Sequence, residues 1–445
     1  MSQPIEAFRN AFKIPELKNR IFFTLLMLAI YRLGAHVPTP GVDGAALANQ
    51  LQSAGGLLGF YDMFTGGAFA NATVFALGIM PYITASIIFS LLIPVIPALE
   101  QLQKQGQEGQ RKITEYTRFA TIGLCIIQGF MIALYMESLN SGNTVIVPNP
   151  GWGFRLMAVL TLTTGTAFIM WLGEQISEYG VGNGISLIIF ISIISRLPSA
   201  MFNLVRMLQV GEMSIFQVLI LVVLLVLVVA GAIVVTTGQR RIPVQYPRQI
   251  RGRGVVGGQR TYLPLRVNQA GVIPIIFASS ILMVPGSLSQ SVNIPWLEAF
   301  LSTVFDWTGI WYNLIYAGLI IFFCFFYTAL TFNPVEVADN MKKYGGVIVG
   351  VRPGKATADY LHHVMTRITL VGAIFLAGVA LMPPVVYAML EVPDPTVVQF
   401  FGGTSLLIMV GVALDTIRQI EQHLVMRHYD GFGVRGRRIR ARRGF

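Results

Sequence analysis

Residues 213–239 read MSIFQVLILVVLLVLVVAGAIVVTTGQ and contain no Asp, Glu, Lys or Arg. Two other long stretches, 307–335 and 368–390, also lack charge. A helix needs roughly 20 apolar residues to cross about 30 Å of hydrocarbon, and each stretch is long enough. A large soluble protein is the alternative, but its helices need charged faces, and only 12% of the 445 residues are charged. The sequence therefore predicts a polytopic α-helical membrane protein.

Ten apolar segments are predicted to span the membrane. Backbone groups cannot stay unpaired in hydrocarbon, so the segments form helices, and the lack of two-residue alternation excludes a barrel. The predicted spans are 21–37, 72–97, 117–136, 155–173, 184–201, 214–236, 271–290, 311–332, 367–388 and 399–417. They divide the chain into an amphipathic N-terminal segment, two halves of five spans and a basic tail, at 1–20, 21–205, 206–417 and 418–445.

Lys and Arg are distributed unevenly between the two sides of the membrane. If the N-terminus is cytoplasmic, the inner segments hold 28 of the 32 basic residues, because only Arg32, Arg155, Arg196 and Arg206 lie elsewhere. An excess of positive charge on the cytoplasmic side is the usual sign of orientation. We therefore expect both termini in the cytoplasm.

Ionisable residues are scarce within the predicted spans, and Arg32 and Asp415 are the two candidates for a charge at mid-membrane. Both are interpreted as interfacial charges, and Asp415 is expected to pair with Arg418 one turn away. Ion-coupled transporters need ionisable groups at mid-membrane. The sequence also has no metal-ligand spacing, no nucleophile with a base and no Walker-type loop. We therefore expect no enzyme activity, no cofactor and no metal. We also expect that a partner supplies the energy for transport.

The segment Ser53–Asn71, SAGGLLGFYDMFTGGAFAN, separates the first two predicted spans. Its apolar stretch Leu57–Phe64 is too short to cross a bilayer, and glycine pairs at 55–56 and 66–67 bracket it. Half-length segments at membrane depth survive only when protein shields them or when they line a cavity. Two interpretations stay open: a re-entrant half-helix, or an outer loop lying on the surface.

Two isoleucine pairs are spaced one helical turn apart. Ile79 and Ile83 flank Pro81, and Ile185 and Ile189 follow a Gly-Asn-Gly turn. A hydrophobic constriction can close a pore by dewetting. Isoleucine is also common in membrane helices, so the pairs alone leave both interpretations open.

Two long loops, 237–270 and 333–366, are predicted on the cytoplasmic side. The first contains seven Arg and no acid. Alternating residues at Arg241–Tyr246 and Thr261–Arg266 predict two extended arms around a Gly-rich tip. Arginine clusters bind phosphate, as in acidic lipid or ribosomal RNA. Membrane topology alone is the alternative explanation for the charge.

Five motifs occur in order over essentially the whole chain. They are Tyr31–Gly34 with Pro38–Gly41, Phe75–Ile83, Glu178–Ser186, Asn268–Pro274 and Gly350–Gly354. In sequence and spacing they closely resemble the motifs of the SecY family, the central subunits of the bacterial Sec channel.

The resemblance implies an all-α fold of ten transmembrane helices, in two pseudo-symmetric halves around an hourglass pore, with a re-entrant plug helix near 57–67. The implied pore ring consists of Ile79, Ile83, Ile185, Ile189, Ile276 and Ile408. The implied plug residues are Leu57, Leu58, Phe60, Tyr61, Met63 and Phe64. A lateral gate between spans two and three and spans seven and eight is implied, lined by Thr84, Gln128 and Asn268.

The function that the resemblance implies is a channel in the bacterial inner membrane. It passes unfolded secretory polypeptides across the membrane and releases hydrophobic segments sideways into lipid. The implied partners are SecE and SecG-like subunits, the SecA motor, the ribosome, signal peptides with nascent chains, and membrane lipids. Expected docking residues for SecA or the ribosome are Arg240, Arg241, Arg248, Arg251, Arg253, Arg352 and Lys355.

Two rival functions predict different features. A small-solute secondary transporter needs charged or cation-coordinating residues at mid-membrane, and it does not explain Arg-rich loops. A lipid-binding scaffold or insertase without an aqueous pore predicts neither a plug-like segment nor an isoleucine ring.

Overall fold

Helices dominate the computed structural model of the protein. It describes residues 14–48, 56–140, 145–246, 249–251, 254–256, 260–289, 300, 303–306, 308–390, 392, 395–401 and 403–434.

The first group of helices precedes residue 211. Its members are α1 (Pro15–Gly34), α2 (Gly56–Thr65), α3 (Met80–Leu92), α4 (Pro97–Lys104), α5 (Gln107–Ser138), α6 (Trp152–Tyr179) and α7 (Gly184–Val210). Local signals set several ends. The Asn183 side chain caps α7 by accepting from two backbone amides of its first turn, and Gly211, with a φ of +80°, ends it.

The second group follows. Its members are α8 (Ile215–Thr237), α9 (Ile273–Ser289), α10 (Ile310–Thr331), α11 (Pro334–Lys343), α12 (Lys355–Ala380), α13 (Met382–Leu390), α14 (Pro395–Phe401) and α15 (Thr404–Val434). Ser214 and Gln217 form a reciprocal capping box at the start of α8.

Six helices within the described residues are long and apolar enough to cross a membrane, and a seventh candidate is α3 with α4, bent by 98° at the break between them. The most apolar, α8, has a mean hydropathy of 3.6. Its residues Ile215 and Phe216 have 81% and 69% of their surface exposed. Such a surface is costly in water and suits contact with lipid, so the helices confirm a membrane protein. The count of ten spans stays a prediction.

The second predicted span, 72–97, begins later than expected. Residues 66–79 form turns, apart from a β-bridge between Thr73 and Pro38, and the helix starts only at Met80. Pro81 lies in its first turn, where a missing N–H costs nothing. Gly78 adopts a φ of +58°, which is not helical, so the backbone cannot continue α3 towards the N-terminus.

The last predicted span, 399–417, also differs from the structure. A short helix, α14, ends at Phe401, and α15 runs from Thr404 to Val434, well past the predicted end. Gly403, with a φ of +140°, separates the two helices. The expected pairing within this helix is confirmed, because Arg418 lies 3.6 Å from Asp415.

A small sheet joins the two long loops. β1 (Gln239–Gln245) pairs antiparallel with β4 (Arg260–Arg266), which confirms the two predicted arms. β1 also pairs with β5 (Val347–Ile348) of the second loop, and β2 (Gln249–Arg251) pairs with β3 (Gly254–Val256) nearer the tip. Ile242, Leu265 and Leu361 belong to one apolar cluster, so the sheet packs on α12 as one folded unit.

Candidate functional site

Helix α2 lies between the two groups of longer helices. It packs against α7 of the first group and against α9 and α14 of the second. Elsewhere the groups meet directly, where α3 packs on α9 and α7 packs on α14 and α15. A helix of 10 residues is only about 15 Å long, half of what a span needs. Its position makes α2 a candidate for a segment that fills a space between the groups.

The C-terminal half of α2 is buried. Tyr61, Met63 and Phe64 expose only 9%, 3% and 2% of their surface. The Tyr61 hydroxyl donates a 2.9 Å hydrogen bond to the Leu77 carbonyl, and its ring meets that of Phe69 edge to face. This burial disagrees with a loop on the outer surface and fits a re-entrant segment. The side chains of the other plug candidates lie outside the described residues: Leu57, Leu58 and Phe60.

The six candidate ring isoleucines lie at the starts of four helices drawn from both groups. Ile185, on α7, is partly buried against the main apolar core. The other five are buried members of that core: Ile79 and Ile83 at the start of α3, Ile189 on α7, Ile276 on α9 and Ile408 on α15. All six therefore belong to one packed region. Their arrangement as a ring around a pore stays a prediction.

A salt bridge joins α2 to α7. The Asp62 carboxylate Oδ2 pairs with the Arg196 guanidinium, and their side chains are 9% and 28% exposed. The other carboxylate oxygen accepts a 2.7 Å hydrogen bond from the Ala70 backbone N–H. Sequence reasoning missed this pair. A signal did exist, because Asp62 and Arg196 each interrupt an apolar stretch, where a lone charge is costly.

Arg32, interpreted from sequence as an interfacial charge, contacts the turn that follows α2. Its guanidinium donates a 3.1 Å hydrogen bond to the Gly66 carbonyl. Gly66 and Gly67 adopt φ values of +66° and +92°, which glycine tolerates best. A Cβ on Gly66 would stand 2.9 Å from the Ser192 Cα atom. The turn can therefore approach α7 this closely only because it lacks side chains.

The three residues predicted to line a lateral gate lie on or beside α3, α5 and α9, and α3 packs on α9. Asn268 is buried just before α9, and its amide donates a 2.9 Å hydrogen bond to the Gly271 carbonyl. Thr84 is partly buried on α3 and donates to the Met80 carbonyl at 3.1 Å. Gln128 is partly buried on α5, which packs beside α3. Thr84 and Asn268 thus have local backbone partners, and the gate assignment stays a prediction.

The small sheet of β1, β4 and β5 and the helix α12, on which it packs, are called here the sheet unit, and they carry exposed Lys and Arg side chains. Arg240 and Arg241 are exposed on β1. Arg352 is exposed in the turn before α12, where its carbonyl accepts a 2.8 Å hydrogen bond from the Thr357 hydroxyl, and Lys355 is the exposed first residue of that helix. Because β1 and β5 pair, these cations belong to one folded unit. Arg248, Arg253 and the Arg251 side chain lie outside the described residues.

The described residues show no grouping of three His, Cys, Asp or Glu side chains that could hold a metal ion. The two cysteines, Cys125 and Cys324, are buried and unbridged. In the described part of the chain, the site around α2 is built from apolar side chains, the Asp62–Arg196 salt bridge and hydrogen bonds between side chains and backbone groups.

The sequence matches known proteins over nearly its whole length. A protein-family model described as SecY matches residues 73–417. The protein translocase subunit SecY of Thermotoga maritima is 43% identical, over 98% of this chain and 100% of its own length. The same subunit of Escherichia coli K12 is 44% identical over 93% of each chain.

Solved structures share the fold. A structure described as that of a protein conducting channel has a TM-score of 0.66 at 16% identity, covering 94% of this chain and 98% of its own. A second structure, described as showing that the plug domain of SecY stabilises the closed state of the translocation channel, has a TM-score of 0.63 at 17% identity, covering 94% of this chain and 97% of its own. Canine Sec61 in a ribosome–channel complex has a TM-score of 0.64 at 15% identity, covering 94% and 97%.

Proposed function

The chain belongs to the SecY family, and on that premise we propose that it is a protein-conducting channel for unfolded secretory polypeptides. The observation that carries the proposal is the match, over nearly the full length, to protein translocase subunits. The composition agrees with it, because only 12% of the residues are charged and ion-coupled transport needs charge at mid-membrane.

The ten predicted spans can be assigned to the helices. To the six long apolar helices and the bent pair α3 with α4 we add α1, α9 and α15, which gives ten. Lys18, Arg20 and Arg32 interrupt the apolar sequence of α1, and α9 has 17 residues. In this assignment the two groups of helices are the two halves of the channel, and the pore runs between them.

We assign the pore constriction to the six isoleucines. A translocating chain carries every kind of side chain, so the wall must bind none of them strongly. Isoleucine has no hydrogen-bonding group on its side chain, and a narrow apolar waist resists wetting by water and ions. The burial of Ile83, Ile276 and Ile408 in one core supports this assignment.

We assign the plug to α2 and the lateral gate to the contact of α3 with α9. The helix fills space between the two groups, which suits a removable seal. The α3–α9 contact lies across the line where the groups would part. A sideways opening there lets apolar segments partition into lipid, which stabilises each Leu, Ile, Phe or Val by roughly 0.3 to 0.6 kcal/mol at a helix centre.

The energy for translocation and the remaining partners are assigned from the family. The chain has no Walker-type loop, so SecA or a translating ribosome drives movement from the cytoplasmic side of the bacterial inner membrane. The sheet unit with Arg240, Arg241 and Arg352 is the docking surface, because exposed arginines bind acidic protein or RNA phosphate. SecE and SecG-like subunits complete the assembly.

Ion conductance in reconstituted vesicles tests the proposal. The full chain, purified with the subunits that accompany it, is compared with a variant lacking residues 57–67. We expect a tight membrane for the native protein and a strong leak for the variant. A solute transporter or an insertase without a pore predicts no leak from either protein.

A further inference from the structure

Asp62 carries a negative charge into a buried position on α2. Its side chain is 9% exposed and its carboxylate is satisfied by the Arg196 guanidinium and by the Ala70 N–H. Removing one partner of a buried ion pair leaves the other charge uncompensated and is strongly destabilising. The position of α2 against α7 is therefore coupled to this pair.

A second arginine holds the same end of α2 from another helix. Arg32 of α1 donates to the Gly66 carbonyl, one residue beyond the end of α2. A Cβ on Gly66 would stand 3.1 Å from the Arg32 guanidinium, and one on Gly67 would stand 3.4 Å from that of Arg196. Two cations thus approach one short turn, at the helix end where carbonyl groups favour positive charge.

These attachments are made to one side only. Arg32 and Arg196 belong to α1 and α7, which are both in the first group. Among the described residues, the second-group helices that pack most closely on α2 are α9, IPIIFASSILMVPGSLS, and α14, PTVVQFF, and neither sequence contains a charged residue. Their contacts with α2 therefore involve no ion pair, and they can separate without stranding a charge.

We propose that Asp62, Arg196 and Arg32 form a latch that holds the plug on the first half of the channel, and that breaking the Asp62–Arg196 pair is the step that frees the plug. This inference rests on the proposed function of α2. Without the Asp62 carboxylate, the Arg196 and Arg32 guanidiniums approach the same turn with no acid beside them. Their repulsion then disfavours the position in which α2 closes the channel.

The test measures resting ion conductance of the full chain in planar bilayers, without any cargo. We expect Asp62→Asn and Arg196→Gln each to raise conductance by roughly an order of magnitude, as expected for an uncompensated buried charge. The exchange Asp62→Arg with Arg196→Asp, which restores opposite charges, should leak less than either single variant. That exchange also keeps the test decisive if a single variant fails to fold.

The matched control is Glu137→Gln, which removes the acid of the Glu137–Arg155 ion pair. That pair joins α5 to α6 with a distance of 2.7 Å and side chains 10% and 27% exposed, nearly the burial of the latch pair. Its conductance should stay at the native level. An equal leak from Glu137→Gln would overturn the latch, because any broken ion pair would then suffice.

Deletion of 57–67 separates the two proposals. If the variant lacking 57–67 conducts ions while Asp62→Asn and Arg196→Gln keep the native conductance, the latch is wrong and the plug assignment stands. If the deletion itself stays tight, the plug assignment is wrong, and any leak from Asp62→Asn then has no connection with a seal.

Discussion

The Tyr31 hydroxyl of α1 lies 2.7 Å from the Ser192 hydroxyl of α7. Each hydroxyl has one proton and also faces a backbone carbonyl, Ser192 that of Ile188 at 2.8 Å and Tyr31 that of Thr65 at 3.4 Å. Either residue can therefore be the donor in the contact between them. The Tyr31 ring also stacks on Phe75, with centroids 5.8 Å apart. One side chain thus connects α1, α7 and the turns before α3.

We expect Tyr31→Phe to lower stability only modestly, by about 1 kcal/mol. Phenylalanine keeps the stacked ring, and Ser192 keeps its bond to Ile188, so no buried donor is stranded. The measurement is the midpoint of thermal unfolding in detergent. A loss as large as that of Tyr31→Ala, which also removes the ring and leaves a cavity, would contradict the reading that packing dominates at this position.

Gly165 on α6 marks a close approach between backbones. A Cβ there would stand 2.1 Å from the Val74 carbonyl oxygen, and that atom belongs to the turns before α3. Backbone cannot move aside as a flexible side chain can. We expect Gly165→Ala to lower the unfolding midpoint by several degrees, because overpacking costs about 1–3 kcal/mol.

The matched control for Gly165 is Gly123→Ala on α5. Among the described residues, no neighbouring atom lies within 4 Å of a Cβ built on Gly123. Alanine favours a helix over glycine by roughly 0.5–1 kcal/mol, so Gly123→Ala should leave stability unchanged or raise it slightly. Equal losses from both variants would show that glycine matters through the helix and not through the contact with Val74.

Much of the helical framework was predictable because apolar length fixes it. The run 214–236 predicts α8 to within one residue at each end, and the alternation around Arg241–Tyr246 predicts β1. The predicted start of the second span, at residue 72, was wrong because the 72–79 segment is apolar and yet is not helical. Composition cannot distinguish these turns from helix, whereas Gly78 and the contact of Val74 with α6 decide it.

The candidate site was predictable only in part. The sequence motifs point to the isoleucines and to the segment 57–67. They do not reveal that Asp62 meets Arg196, because 134 residues separate the two positions (196 − 62) and only the packing of α2 on α7 unites them. Opposite charges inside two apolar stretches are a usable signal for such a pair, since each would be costly alone.

Reversing the charge of Arg352 tests the docking surface. Arg352→Glu places an acid on the sheet unit beside α12, where an acidic or RNA-bearing partner would now be repelled. We expect SecA-driven export in inverted membrane vesicles to fall strongly, with unchanged amounts of folded protein. The control is Arg206→Glu, an exposed residue near the end of α7 on the predicted outer side. Equal losses from both variants, or normal export by Arg352→Glu, would remove the docking assignment.

Polar substitutions at the candidate ring test the constriction. Ile83→Asn and Ile408→Asn each place an amide among buried apolar side chains, where it favours water. We expect greater ion leakage in bilayers and export of cargo with defective signal sequences, since a wetted waist opens more easily. The control is Ile233→Asn on α8, where the native side chain is 41% exposed on a face suited to lipid. It should not leak. A tight membrane with both ring variants, or the same leak from Ile233→Asn, would show that these isoleucines pack a core and do not close a pore.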